Sequence, residues 1–185
     1  MNSKSPHSIL HNRWSISIIA QIHLLGGTKF ITLINHLSIS RSVLTAALKK
    51  LMTHNLIIRN PGYGHPLRPE YLLTEQGCTI ALFCQELVQC IEDHHASRIG
   101  QSKWALRIIF HTAKGGIRFS ALKSCLSPIT PRALSEELKL LQAEGYLKRR
   151  VIDDYPPATL YTVTAQSTPF VNIFEKHKPL IIDYF

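Results

Sequence analysis

The 185-residue sequence has no run of about 18 consecutive apolar residues. Its best stretch, Ile16 to Leu25, is broken by Ser17, Gln21 and His23, so no membrane-spanning helix is expected. The apolar core of a signal peptide is also missing, because Asn2 to Asn12 is polar and carries Pro6; a cytoplasmic protein is the expectation. Cysteine is scarce. Cys78, Cys84, Cys90 and Cys125 show no C-x-x-C spacing and suit reduced, mostly buried thiols better than a secreted disulfide framework. There is no Gly-rich phosphate loop, no G-x-S-x-G and no H-E-x-x-H, and the few carboxylates offer no general acid/base pair. Neither catalytic residues nor a cofactor are therefore expected, and the chain does not read as an enzyme. Acidic residues are outnumbered, 12 Asp plus Glu against 21 Lys plus Arg, for a formal net charge of +9. That imbalance points to an anionic partner, nucleic acid or an acidic membrane surface, and says nothing of fold.

What the sequence does have is a repeat at a shift of about 90 residues. Trp14 matches Trp104; Gly26, Gly27 and Phe30 match Gly115, Gly116 and Phe119; Leu37 and Ser38 match Leu126 and Ser127. Leu44, Leu48, Lys49 and Leu51 then match Leu134, Leu138, Lys139 and Leu141, and Arg59, Pro66, Tyr71, Thr74 and Gln76 match Arg149, Pro156, Tyr161, Thr164 and Gln166. A register held through five successive elements implies two homologous domains. They are expected at residues 1–97, including a linking helix over about 77–97, and at 98–185 with a short C-terminal helix and an apolar tail.

Each copy reads in the same order. Trp14, Ile18, Ile19, Ile22 and Leu25 recur at helical spacing up to Gly26 and Gly27, as Trp104, Ile108, Ile109 and Thr112 do before Gly115. A short second helix covers Phe30 to Leu37, or Phe119 to Leu126. Ser38 or Ser40 can cap one third helix, and Thr130 caps the other with Pro131 in its first position. Leucines 44, 48 and 51, and 134, 138 and 141, supply the buried stripes. Two extended runs follow in each copy, Leu56 to Arg59 with Tyr71 to Thr74, and Tyr146 to Ile152 with Leu160 to Thr164, a hairpin with a long loop. The expected fold class is α+β and mainly helical: two tandem winged helix-turn-helix domains, each of three helices and a two-stranded wing, joined by a long helix.

The second copy resembles the HxlR family of bacterial transcriptional regulators, within the MarR-like superfamily. The resemblance rests on Lys103-Trp104-Ala105-Leu106, Arg118-Phe119 within Gly116 to Leu126, Ile129-Thr130-Pro131-Arg132-Ala133-Leu134-Ser135, Leu138-Lys139, Gly145-Tyr146, Arg149-Arg150, Tyr155-Pro156-Pro157 and Leu160-Tyr161-Thr162-Val163-Thr164. It spans roughly Ser102 to Gln166. The first copy is weaker, Arg13 to Gln76, with Gly64-His65-Pro66 at the place of the family's wing proline. The family's usual plan is one domain per chain, paired through terminal helices, and this chain departs from it by carrying two.

The resemblance implies a sequence-specific, double-stranded DNA-binding transcriptional regulator with its third helices in the major groove. In the first copy the candidates are Ser40, Arg41, Ser42, Thr45 and Lys49; Arg41, Thr45 and Lys49 fall at i, i+4 and i+8, opposite the leucine stripe. The second offers Thr130, Arg132, Ser135 and Lys139, with Glu136 and Glu137 nearby. The wings contribute Arg59, His65 and Arg68, and Lys148, Arg149 and Arg150, for phosphate or the minor groove. Both halves are positive: Met1 to Ser97 holds 8 basic and 5 acidic residues, Arg98 to Phe185 holds 13 and 7. Two recognition helices addressing half-sites about one helical turn apart on one duplex are expected. The other reading is a tandem winged-helix module for protein interaction or replication initiation, without operator-type regulation.

The remaining features carry less. Ile80, Phe83, Cys84, Leu87, Val88 and Ile91 give the segment Gly77 to Ser97 an apolar face that in the resembled family pairs two chains; here it either joins the two domains of a monomer or pairs two chains, and a homodimer is slightly favoured. The tail Leu180-Ile181-Ile182-Asp183-Tyr184-Phe185 is too apolar for water and is expected to dock on a helix or partner. Cys90 and His94 stand at i, i+4 with Glu86 and His95 near, yet no full ligand set accompanies them, and no metal site is expected. No cysteine precedes Cys78, where some members of the family sense oxidants, so redox control is not expected. The sequence names no small-molecule inducer.

Overall fold

The computed structural model describes residues 14–60, 70–152 and 158–185. The chain divides into two compact units: unit 1 is Met1–Ser97 with His177–Phe185, and unit 2 is Arg98–Lys176. Unit 1 runs α1 (Ser15–Leu25), β1 (Thr28–Lys29), α2 (Phe30–Leu37), α3 (Arg41–Thr53), β2 (Ile57–Asn60), β3 (Glu70–Leu73) and α4 (Glu75–Asp93). After the short α5 (Ser97–Gln101), the same order returns as α6 (Ala105–Thr112), β4 (Ile117–Arg118), α7 (Phe119–Cys125), α8 (Pro131–Ala143), β5 (Leu147–Ile152) and β6 (Ala158–Val163), followed by α9 (Thr168–Ile181).

The sheets are antiparallel, in the orders β1-β3-β2 and β4-β6-β5. A third, two-residue strand thus joins each expected hairpin; it is too short for the period-2 alternation that would mark it in a sequence. The register repeats as well. Tyr71 lies between Thr28 and Arg59, and Tyr161 between Ile117 and Arg149. The paired glycines explain how the first helix of each copy gives way to that strand. The Gly26 N–H donates to the His23 carbonyl and the Gly27 N–H to that of Ile22, closing α1 with left-handed backbone at Gly26. A Cβ on Gly27 would stand 2.5 Å from Leu72 Cδ2, and one on Gly116 2.6 Å from Thr162 Cγ2, so both positions combine positive φ with close approach of the central strand.

The third helices begin where their hydroxyls allow. Ser40 Oγ accepts from the Val43 N–H at 3.3 Å, and Thr130 Oγ1 accepts from the Ala133 N–H at 3.2 Å with Pro131 next in line. Ser38 instead closes α2 in a left-handed conformation. Thr130→Ala should lower the stability of unit 2 by about 1 kcal/mol; an unchanged urea midpoint for that unit would show that the cap is not formed in solution. Leu44, Ala47, Leu48 and Leu51 of α3 are buried, as are Leu134, Leu138 and Leu141 of α8, which fixes the outward faces of both helices by elimination.

The tail lies with unit 1, although it follows unit 2 in the chain. Phe185 meets the edge of Phe83 on α4 at 6.0 Å, Gln76 Nε2 donates to the Tyr184 hydroxyl at 3.2 Å, and His177 Nε2 stands 3.0 Å from Glu86 Oε2. Ile181, Tyr184 and Phe185 are buried. In unit 2 the opening residues of α9 serve the local core, Phe174 edge-on to Phe110 and Phe170 to Tyr146.

The thiols split into two kinds. Cys84 and Cys90 are buried on α4, while Cys78 and Cys125 are exposed. Burial, reinforced by the charge of Asp93, pushes the Cys90 thiol up to about 11, and burial alone pushes Cys84 higher still. Thiolate, the reactive form, is therefore suppressed at these two sites at neutral pH. Iodoacetamide at pH 7.5 should modify Cys78 and Cys125 in the native protein and reach Cys84 and Cys90 only on unfolding; mass mapping that finds Cys84 labelled early would contradict the packing of α4.

Candidate nucleic-acid interface

On α3 the side chains of Arg41, Ser42, Thr45 and Lys49 are exposed, as is the capping Ser40. Ser40 and Ser42 hydroxyls lie 3.1 Å apart, and Thr45 Oγ1 donates back to the Arg41 carbonyl at 2.8 Å. No acidic residue occurs on this helix. Arg59 projects from β2 and is exposed; His65 and Arg68 lie outside the described residues.

The corresponding surface of unit 2 is built differently. Arg132, Lys139 and Thr130 are exposed and Ser135 is half-buried. Arg132 Nε donates to Glu136 Oε1 at 2.9 Å, one turn along the exposed face, and that bond raises the Arg132 pKa. Glu137 does not share this face. Its Oε1 accepts from Arg98 Nη1 at 3.0 Å and from Ser102 Oγ at 2.8 Å, and Arg98 Nε also bonds Glu144. Burial opposes the charge on Arg98, yet its bonds to Glu144 and Glu137 prevail and its pKa is raised. On β5, Lys148, Arg149 and Arg150 are all exposed; alternation puts Lys148 and Arg150 on one face and Arg149 on the other, where Arg149 Nη2 donates to Thr159 Oγ1 at 3.3 Å.

The basic excess of the second half is thus less available than its arithmetic suggests. Arg98 is held by two carboxylates, Arg132 by one, and Arg107 is buried against the Trp104 ring, its pKa lowered by desolvation. Two exposed cations near these helices were not among the expected contacts. Lys29 and Arg118 are exposed, sit at the starts of α2 and α7, and occupy matching places in the third strand of each sheet. The signal was present in the repeat itself, as Lys29-Phe30 against Arg118-Phe119. Among the described residues no group of three or more His, Cys, Asp or Glu is placed to hold a metal ion, and no helix is long and apolar enough to cross a membrane.

A capped third helix with its polar face outward, followed by a three-stranded wing and present twice, defines a tandem winged helix-turn-helix protein. The chain belongs to the HxlR-like helix-turn-helix family, which matches it over residues 9–98 and again over 99–184. That places it among transcription regulators of the DNA-binding helix-turn-helix class and not among enzymes. It is 36% identical over 75 residues to the HTH-type transcriptional regulator YvaP of Bacillus subtilis, a stretch covering 40% of this chain and 69% of the relative. Identity is also 36% over 75 residues with the HTH-type transcriptional regulator BH0655 of Halalkalibacterium halodurans, covering 40% of this chain and 66% of that one. The chain therefore spans about two thirds of the length of these relatives. Among solved structures, the reduced form of the transcriptional regulator YodB from B. subtilis aligns with a TM-score of 0.41 at 24% identity, over 47% of this chain and 85% of that one.

Proposed function

We propose that the chain binds double-stranded DNA sequence-specifically through two recognition helices, α3 and α8, assisted by the wing residues Arg59 and Lys148 to Arg150. One observation carries this reading. The same helix face, capped by a hydroxyl and lined with Thr45 and Lys49 in unit 1 or Ser135 and Lys139 in unit 2, lies outward in two copies of one fold while the leucine stripes behind it are buried. His65 and Arg68 belong to the same proposal for the first wing. Phosphate contacts would position each unit and base contacts would select sequence. A homodimer through unit 1 is part of the reading, since Leu82 of α4 and Leu180 and Ile182 of the tail remain half exposed beside a buried core; light scattering that returns a single-chain mass would remove that element.

The test is binding to duplex DNA at low salt. Affinity should fall with salt by about 0.9 log units per phosphate contact for each tenfold increase. A chain that binds no duplex at low salt would instead be a protein-interaction or replication-initiation module.

A further inference from the structure

The two recognition helices share their leucine stripes and differ at several outward positions. Counting at the 90-residue shift, Leu44 and Leu134, Leu48 and Leu138, and the capping Ser40 and Thr130 keep their chemistry, as do Thr45 and Ser135, and Lys49 and Lys139. The exposed Ser42 is replaced by the exposed Arg132, and the exposed Ala46 by the exposed Glu136. Ala47 is replaced by Glu137, but that carboxylate is held by Arg98 and Ser102 away from the outward face. The exposed Arg41 of α3 gives way to Pro131 and the half-buried Lys50 to Leu140, while α8 gains one i, i+4 pair of opposite charges, Arg132 and Glu136, 2.9 Å apart and mostly exposed.

We infer that α3 and α8 select two different half-site sequences, and that the Arg132–Glu136 pair gives the α8 half-site a requirement for G·C pairs. This rests on the proposed DNA binding. A carboxylate brought up to a polyanion is repelled unless it accepts a hydrogen bond there, and the amine of cytosine is the base-edge donor that a Glu reads in the major groove. Arg132, freed from Glu136, presents the two-pronged donor that matches guanine O6 and N7. One helical turn separates the two side chains, so they reach neighbouring pairs of the same half-site. On α3 the same place holds Ala46, whose methyl suits the thymine methyl, beside the neutral Ser42. Glu136 also acts against wrong sequences, because a mismatched site leaves its charge facing phosphate without a donor.

Selection of duplexes from a random pool by the full-length chain tests this. The wild type should select two unlike half-sites, one of them with a G·C pair. The double variant Arg132→Ser, Glu136→Ala gives α8 the side chains that α3 carries at these two places, with Pro131 still standing where α3 has Arg41. It should change the second half-site toward the first and reduce preference for the G·C pair by about tenfold. Glu136→Ala alone should tighten binding to random duplex while blunting that preference. Both substituted side chains are exposed, and circular dichroism checks that the helices persist. Two identical half-sites from the wild type, or an unchanged sequence preference in the double variant, would overturn the inference while leaving DNA binding intact. A wild type that selects no sequence at all overturns the proposed function and this inference with it.

Discussion

Replacing Lys148, Arg149 and Arg150 together by alanine should weaken duplex binding roughly 30-fold near 0.15 M salt and make its salt dependence shallower by about 1.8 log units per tenfold change in salt. The figure follows from counterion release. Each cation that neutralises a phosphate frees about 0.9 counterion, and the two that share a face, Lys148 and Arg150, are removed. The three residues are exposed on a single strand whose pairing with β6 is made by backbone atoms, so the variant keeps its wing. Lys148 and Arg150 share one face of that strand and should act together, whereas Arg149 faces the other way and gives up a bond to Thr159. Titrations by fluorescence anisotropy at several salt concentrations would measure both quantities. A variant with wild-type affinity and slope would show that the second wing does not touch DNA.

Gly77→Ala should have the largest effect on folding, a loss of about 3 kcal/mol or more from unit 1. Gly77 lies in the first turn of α4, where a Cβ would stand 2.0 Å from the carbonyl oxygen of Leu56. Neither side can move away cheaply. That carbonyl accepts from the Thr74 N–H at 3.1 Å, Thr74 Oγ1 donates to the Asn55 carbonyl, and the same hydroxyl accepts from Gly77 itself at 3.0 Å. Adding one methyl forces the start of α4 off the corner after α3, and α4 packs along α1 through the core of the unit. Gly26→Ala provides the comparison. Nothing lies within 4 Å of its would-be Cβ, and its cost is only that of a left-handed alanine at a helix end, about 1 kcal/mol. Urea denaturation of both variants would separate steric from conformational cost; equal midpoints would contradict the close approach at Gly77.

Local chemistry made much of this fold legible in the sequence. The helix stop at Gly26, the caps at Ser40 and Thr130 and the leucine stripes of α3 and α8 depend on neighbours within a few residues; in the second copy α6 already ends at Thr112, capped by Ala113 ahead of Gly115. Contacts made across the chain were not legible. Nothing near Glu137 announces that Arg98, 39 residues away, will draw it off the outward face. Nothing near Phe185 shows that it will meet Phe83 rather than unit 2. The strands at Thr28–Lys29 and Ile117–Arg118 escaped because two residues have no periodicity. At the candidate interface, residue type and spacing located the polar faces. The pairing of Arg132 with Glu136 needed coordinates, because the same spacing is equally common on solvated helices.

In the proposed mode of binding, one chain applies two winged helices to one duplex. Hydroxyl-radical footprinting on a selected operator tests it most directly, using the wild type beside Arg41→Ala, Lys49→Ala and Lys139→Ala variants. Two protected backbone segments are predicted, one fading with the substitutions on α3 and the other with Lys139→Ala. A single protected segment that responds to one helix alone, or no protection, would contradict the account.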